Sequence, residues 1–199
     1  QKRVASEYLS ENMYSDFENT ADEKTVAVTA GVNDLALSCK SAILIEASTG
    51  AVLYEHNADA VRAPASITKI MTLLLVMEAI EDSKLSLDAT LVTGPHARSK
   101  GGSQIWLEDG EQMTAGELIK AVAVASANDA ATALAEHIAG SEEAFVVLMN
   151  NRAKSRGRYN TNFVNCCGLD ADGHVTTARD IAIMSRELLK HGMIREYSQ

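Results

Sequence analysis

The chain has 199 residues and a formal net charge of −9, from 27 acidic and 18 basic residues. Because phosphate contacts require clustered positive charge, an acidic chain without Lys/Arg clusters is a poor candidate for a nucleic-acid-binding protein. Hydrophobic residues make up 46% of the sequence, which is enough for a sizeable core and excludes a globally disordered chain. No apolar stretch is long enough to cross a bilayer.

The three cysteines, Cys39, Cys166 and Cys167, are odd in number, and two of them are adjacent. This arrangement is typical neither of a disulfide framework nor of a zinc site, and we expect buried or unreactive thiols. The five histidines are scattered without metal-ligand spacing. The sequence therefore predicts neither a metal nor an organic cofactor.

Residues 1–38 are polar and acidic, and we expect them to form a flexible leader before a partial domain over residues 39–199. The leader lacks the apolar segment of a signal peptide, so a signal was either removed before residue 1 or never existed. The domain begins with apolar runs at residues 42–47 and 51–55 around the turn Ser48-Thr49-Gly50. This pattern predicts a β-hairpin.

About five helices are predicted after the hairpin. The first follows Pro64 and runs to Ile80; it is apolar almost all round, which predicts a buried helix. Residues 88–110 are rich in Gly and Pro and are expected to form a loop. The remaining helices are predicted from a capping box at Thr114 to Val124, over residues 129–139 and 142–156, and from Thr177 to near His191. Two strands are too few for a stable sheet, which indicates that partner strands are missing.

Ser66 and Lys69 are candidate catalytic residues at the start of the buried helix. Residues three apart lie on one helical face, so the lysine amine can approach the serine hydroxyl. A serine becomes a strong nucleophile when a base takes its proton, and burial lowers the pKa of a lysine so that it can be that base. A Ser-x-x-Lys pattern also arises by chance, but this one occurs once and at a Pro-led helix start.

Ser126-Ala127-Asn128 lies at a break between two predicted helices. A hydroxyl there is able to pass a proton to a leaving amine, and the amide of Asn128 is able to hold a substrate carbonyl or the lysine. The alternative is that Ser126 or Asn128 caps the next helix, a role that both residue types favour.

Taken together, Ser66-Ile67-Thr68-Lys69 and Ser126-Ala127-Asn128 resemble the first two motifs of the penicillin-recognising serine acyl-transferases. The segments around them, with Asn160-Thr161-Asn162-Phe163 and Gly168-Leu169-Asp170, are similar to the serine-type D-alanyl-D-alanine carboxypeptidases, which are low-molecular-weight penicillin-binding proteins. The resemblance covers about residue 40 to the end. It implies an α/β (α+β) fold of the β-lactamase/transpeptidase type, truncated here to a β-hairpin and a helical cluster.

The resemblance also implies a function in the cell envelope. Ser66 would attack a peptidoglycan stem peptide ending in D-Ala-D-Ala, with Lys69 as general base, Ser126 as proton shuttle and Asn128 as substrate-binding residue. β-Lactams would acylate Ser66 as inhibitors. Membrane anchoring would be possible only through a C-terminus outside these residues.

The family's third motif, Lys-Thr-Gly or a close variant, is absent from the 199 residues. We therefore expect an N-terminal fragment that is inactive alone and exposes apolar surface where further strands belong. Three alternatives stay open. They are a β-lactamase, although that class usually carries Ser-Asp-Asn at the second motif; a non-catalytic penicillin-binding-like module; and a plain helical domain in which both motifs are accidental.

Overall fold

The structure is a computed structural model that describes residue 35 and residues 37–155 and 160–197. The described elements in chain order are β1 (Ala42–Ile45), β2 (Val52–His56), a 3-10 turn (Ala65–Thr68), α1 (Lys69–Glu81), β3 (Thr90–Val92), α2 (Pro95–Arg98), β4 (Gln112–Thr114), α3 (Ala115–Ala125), α4 (Asn128–Ala139), α5 (Glu142–Lys154), α6 (Ala178–Leu188) and α7 (Gly192–Tyr197). Apart from its last few residues, the predicted leader lies outside the described residues.

Strands β1 and β2 form the predicted antiparallel hairpin, which packs on α6. In the turn, the Glu46 carboxylate accepts backbone hydrogen bonds from Ser48 and Thr49. Gly50 has a φ of +79°, and a Cβ there would lie 2.5 Å from the Arg186 guanidinium. Since that guanidinium donates to the carbonyls of Ala47 and Ser48, the turn is fastened to α6.

A buried helical core fills the rest of the fold. Helix α1 packs against α4 and α6, and α4 packs against α3 and α5. The near-absence of a polar face on α1 is explained by these neighbours, which cover it on several sides, and the first eight residues of α4 are buried as well. The largest fully buried side chains include Phe145, Phe163, Met71, Leu118, Leu134 and Met149.

The loop predicted over residues 88–110 is only partly a loop. It contains β3 and the short helix α2, and β3 pairs with β4 in a second two-stranded sheet. Strand β3 has three residues, of which only Leu91 is buried. Such a short strand shows no alternation of apolar and polar residues from which it could be predicted. The last predicted helix also differs, because α6 ends at Leu188 and a separate helix, α7, follows it.

Apolar side chains remain exposed on the hairpin, where Leu44 and Leu53 are about half exposed. The hairpin therefore presents apolar surface to solvent. None of the helices in the described part of the chain combines the length and apolarity needed to cross a bilayer.

The core makes a simple stability prediction. Leu134 on α4 is fully buried, so Leu134→Ala leaves a cavity and is expected to lower the free energy of unfolding of the full-length protein by about 2–5 kcal/mol. Val147 on α5 is 57% exposed, and Val147→Ala should change it by less than about 0.5 kcal/mol. Urea denaturation measures both, and equal effects would contradict the described packing.

Candidate active site

Ser66 lies in the 3-10 turn that leads directly into α1. Pro64 precedes this turn rather than opening an α-helix, and Ala65 has a φ of +48°, an uncommon value for a residue with a Cβ. The Ser66 side chain is exposed, whereas Thr68 and Lys69 behind it are buried. The turn therefore presents the hydroxyl to solvent and the lysine to the protein interior.

Lys69 and Ser66 are in hydrogen-bonding contact. The Lys69 Nζ donates to Ser66 Oγ at 3.2 Å and to the backbone carbonyl of Cys167 at 2.6 Å. Lys69 is only 4% exposed, and this burial lowers its pKa, opposed by charge on the Cys167 and Cys166 thiols. A buried amine with a lowered pKa beside a hydroxyl is the arrangement that a general base requires.

The loop of residues 165–169, here called the Cys loop, closes the rear of this site. The Asn165 Oδ1 accepts hydrogen bonds from the backbone N–H groups of Cys167, Gly168 and Leu169. Thr72 on α1 donates to the Cys166 carbonyl, next to the carbonyl that holds Lys69. The Cys loop thus supplies two backbone acceptors to one face of α1.

Gly168 decides how closely the Cys loop approaches the nucleophile. Its φ is +88°, and a Cβ there would lie 1.8 Å from the Ala65 carbonyl oxygen. Only glycine is compatible with this backbone contact. Both cysteines of the loop are buried, while Cys39 is exposed, and all three thiols are free.

Ser126 occupies the break between α3 and α4 in the left-handed conformation, with φ +54° and ψ +35°. It ends α3 and does not cap α4, because the N-cap of α4 is Ala127. Within the described residues, its side chain makes no hydrogen bond to Ser66 or Lys69. The described structure therefore joins Ser66 and Lys69 by a hydrogen bond, whereas the Ser126 side chain is bonded to neither of them.

Asn128 is the first residue of α4 and is almost fully buried. Its Nδ2 donates to the Gly101 carbonyl at 2.6 Å, and its backbone N–H donates to the Ser103 carbonyl at 2.7 Å. Its Oδ1 is buried without a hydrogen-bond partner in the described structure. Such an acceptor costs about 1–3 kcal/mol, which favours a functional reason for leaving it unpaired.

One further residue, Asp129, was not predicted as part of this region. Asp129 is fully buried, and its carboxylate accepts from the N–H groups of Ile105 and Leu107, which fixes the turn around Trp106. Trp106 has a φ of +64° and is 76% exposed. Asp129 stands directly after Asn128 in the sequence, but nothing local indicates that it binds a loop more than 20 residues away.

His174, one of the five scattered histidines, also contacts this region. Its Nδ1 accepts from the Val164 N–H at 3.0 Å, so the neutral ring carries its proton on Nε2 and donates to Thr68 Oγ1 at 2.8 Å. Burial lowers the pKa of His174, opposed by the Asp170 charge. The neutral ring therefore links the loop at Val164 to the residue before Lys69.

This geometry predicts a pH effect on stability. Because the pKa of His174 is lowered on folding, the unfolded chain takes up a proton at higher pH, and stability falls as the pH drops below about 6.5. His174→Gln should reduce this loss, measured as the change in melting temperature between about pH 7 and about pH 5. The exposed His137→Gln on α4 is the control, and an unchanged pH profile in His174→Gln would refute the prediction.

Comparison with known proteins supports the expected fold. Over 166 residues the chain is 51% identical to the D-alanyl-D-alanine carboxypeptidase DacF of Bacillus subtilis, covering 83% of this chain and 43% of the relative. The crystal structure of the carboxypeptidase DacD of Francisella tularensis matches with a TM-score of 0.80 and 34% identity, over 93% of this chain and 45% of that one. The fold is thus the predicted truncated α/β domain of the penicillin-binding type.

A penicillin-binding protein D2 of Listeria monocytogenes, solved in its ampicillin-bound form, matches with a TM-score of 0.70 and 34% identity, over 79% of this chain and 64% of that one. The chain spans less than half the length of the curated carboxypeptidase relatives, DacF among them. A family model described as Peptidase_S11, D-alanyl-D-alanine carboxypeptidase, matches residues 26–199. The chain therefore belongs to the D-alanyl-D-alanine carboxypeptidase family, as its two motifs indicated.

Proposed function

We propose that the full-length protein is a serine-type D-alanyl-D-alanine carboxypeptidase that acts outside the cytoplasm on peptidoglycan stem peptides. The observation that carries the proposal is the 3.2 Å hydrogen bond from the buried Lys69 amine to the exposed Ser66 hydroxyl. Family membership supports the same reaction. The leader over residues 1–38 and the partial domain over residues 39–199 belong to this proposal as its domain organisation.

In the proposed reaction, Ser66 Oγ attacks the carbonyl carbon of the penultimate D-Ala, and its proton passes to neutral Lys69. The peptide bond then breaks as the Lys69 ammonium passes this proton by way of Ser126 to the amine of the terminal D-Ala, which leaves; an ester on Ser66 and a neutral Lys69 remain. A water molecule attacks this ester with Lys69 again as base, which releases the shortened peptide and restores the serine.

Asn128 has the substrate-binding role in this proposal. Its Nδ2 is engaged with Gly101, so the unpaired Oδ1 is the atom left to accept a hydrogen bond, from the substrate amide or from the Lys69 ammonium after proton transfer. The chain spans less than half the length of its curated relatives, and recognition of the substrate's terminal carboxylate is assigned in this proposal to the part of the protein outside these 199 residues. β-Lactams are expected to form the same type of ester on Ser66.

The first test is the nucleophile. Ser66→Ala in the full-length protein should abolish both labelling by a fluorescent penicillin and release of D-Ala from a peptide ending in D-Ala-D-Ala, because no acyl-enzyme can form. Ser86→Ala, at an exposed serine after α1, should leave both unchanged. Labelling of Ser66→Ala would refute the assignment, and rapid turnover of a chromogenic cephalosporin by the wild type would favour a β-lactamase instead.

The second test is the general base. Lys69→Met keeps the length of the side chain but removes the amine, and it should lower the rate of acylation by about 100- to 10,000-fold. Lys120→Met, at an exposed position on α3, serves as the matched control. Stopped-flow measurement with a fluorescent penicillin gives the rates, and a loss of less than about tenfold would show that another group takes the serine proton.

A further inference from the structure

Glu142, the first residue of α5, is a buried carboxylate that the reaction above does not use. It is 6% exposed and accepts hydrogen bonds from Lys100 Nζ at 2.5 Å, His96 Nε2 at 2.8 Å and the Cys166 N–H at 3.0 Å. Burial raises the pKa of Glu142, but these donors outweigh burial and lower it to about 2. The carboxylate therefore stays charged at every pH at which the protein is expected to work.

One oxygen of Glu142 holds the Cys loop. Oε1 accepts from the Cys166 N–H, and the same peptide segment offers its carbonyls to α1, Cys166 to Thr72 and Cys167 to Lys69. A shift of the Cys166 backbone would move the acceptor that orients the Lys69 amine. Glu142 thus lies one residue away from the contact that positions the general base.

The other oxygen holds the loop that carries the acceptors of Asn128. Oε2 binds Lys100, which directly precedes Gly101, and the Gly101 carbonyl accepts from Asn128 Nδ2. The next residue, Gly102, packs so closely that a Cβ there would lie 2.7 Å from that Nδ2. Displacement of Lys100 would therefore be transmitted to Asn128 within two residues.

The charges at this point identify the role of the cluster. A carboxylate oxygen of Glu142 and the Sγ atoms of Cys166 and Cys167 lie within 4.8 Å of one another, a spacing that would suit the ligands of a metal ion. The Lys100 ammonium already binds this carboxylate, and the hydrogen bond and charge of Glu142 raise the pKa of Lys100 although burial opposes it. A bound cation would meet this fixed positive charge, so the cluster is an ion pair and not a metal centre.

We propose that Glu142 is a positioning residue whose two oxygens hold the Cys loop and the Lys100–Ser103 loop in register, so that Lys69 and Asn128 face one substrate. The inference rests on the proposed acylation of Ser66 and adds to it a residue that contacts none of the reacting atoms. Geometric control of this kind is effective because a displacement of about 1 Å at a reacting group costs about 100-fold in rate.

The test compares Glu142→Gln with Glu143→Gln in the full-length protein. Glu143 is the next residue of the same helical turn and is exposed, so its substitution removes an equal charge without touching either loop. Glu142→Gln should slow acylation by a fluorescent penicillin by about 10- to 100-fold, and Glu143→Gln should stay within about twofold of the wild type. Equal rates in the two variants would overturn the proposal.

A double variant separates positioning from the pairing of a buried charge. Replacing both members of an ion pair by apolar residues is often neutral for stability. Lys100→Met with Glu142→Met should therefore lower the melting temperature less than Glu142→Met alone, which leaves Lys100 buried and unpaired, yet acylate at least about tenfold more slowly than the wild type, because the Cys166 N–H has lost its acceptor. If the double variant is stable and acylates at the wild-type rate, the positioning role is overturned. If the double variant does not fold, the comparison of Glu142→Gln with Glu143→Gln decides.

Thiol reactivity provides a readout that does not depend on the proposed function. In a Cys39→Ser background, the buried Cys166 and Cys167 should react with a small alkylating reagent faster in Glu142→Gln than in Glu143→Gln, because the Cys loop is released. Unchanged reactivity would contradict the inference even if acylation is slow. If the wild type is not labelled by penicillin but the thiols of Glu142→Gln react faster, the proposed function is refuted. The inference that Glu142 joins the Cys loop and the Lys100–Ser103 loop would then still be supported.

Discussion

Burial of the Lys69 amine beside the Ser66 hydroxyl is the constraint on which the rest of the site depends. An amine surrounded by water would stay protonated at neutral pH, and it would then have no lone pair with which to take the serine proton. Helix α1 and the Cys loop remove that water, and the Cys167 carbonyl gives the amine a fixed acceptor. The hydroxyl remains exposed because the 3-10 turn carries it out of the core.

The interior of the protein is organised to keep that acceptor in place. Asn165 folds the Cys loop on itself, Gly168 allows it to press against Ala65, and Thr72 ties it to α1. Neutral His174 joins the residue before Lys69 to the chain at Val164. Each of these contacts is made by a small or neutral polar group, so few additional charges surround the lysine.

Three of the five non-glycine residues with positive φ in the described structure belong to the segments of the candidate site, and Asn57 and Ser83 lie elsewhere. Ala65, Trp106 and Ser126 have positive φ values, and the Asn128 Oδ1 is buried and has no hydrogen-bond partner among the described residues. Such features persist only where the surrounding structure imposes them, and they are common at functional sites. Here the Asp129 carboxylate imposes one of them by fixing the backbone on both sides of Trp106.

The sequence by itself determined the hairpin, the buried helix α1, the capping box of α3 and the two motifs, since each depends on side-chain period or on residues within one turn. It did not determine β3, β4 or α7, which are short and carry few buried side chains. Only the tertiary structure decided that the Cys167 carbonyl holds Lys69 and that Glu142 joins two loops. Those contacts link residues that are 24 to 98 positions apart in the chain. Many of them use backbone N–H or C=O groups, and since nearly every residue carries these groups, no sequence motif specifies the contact.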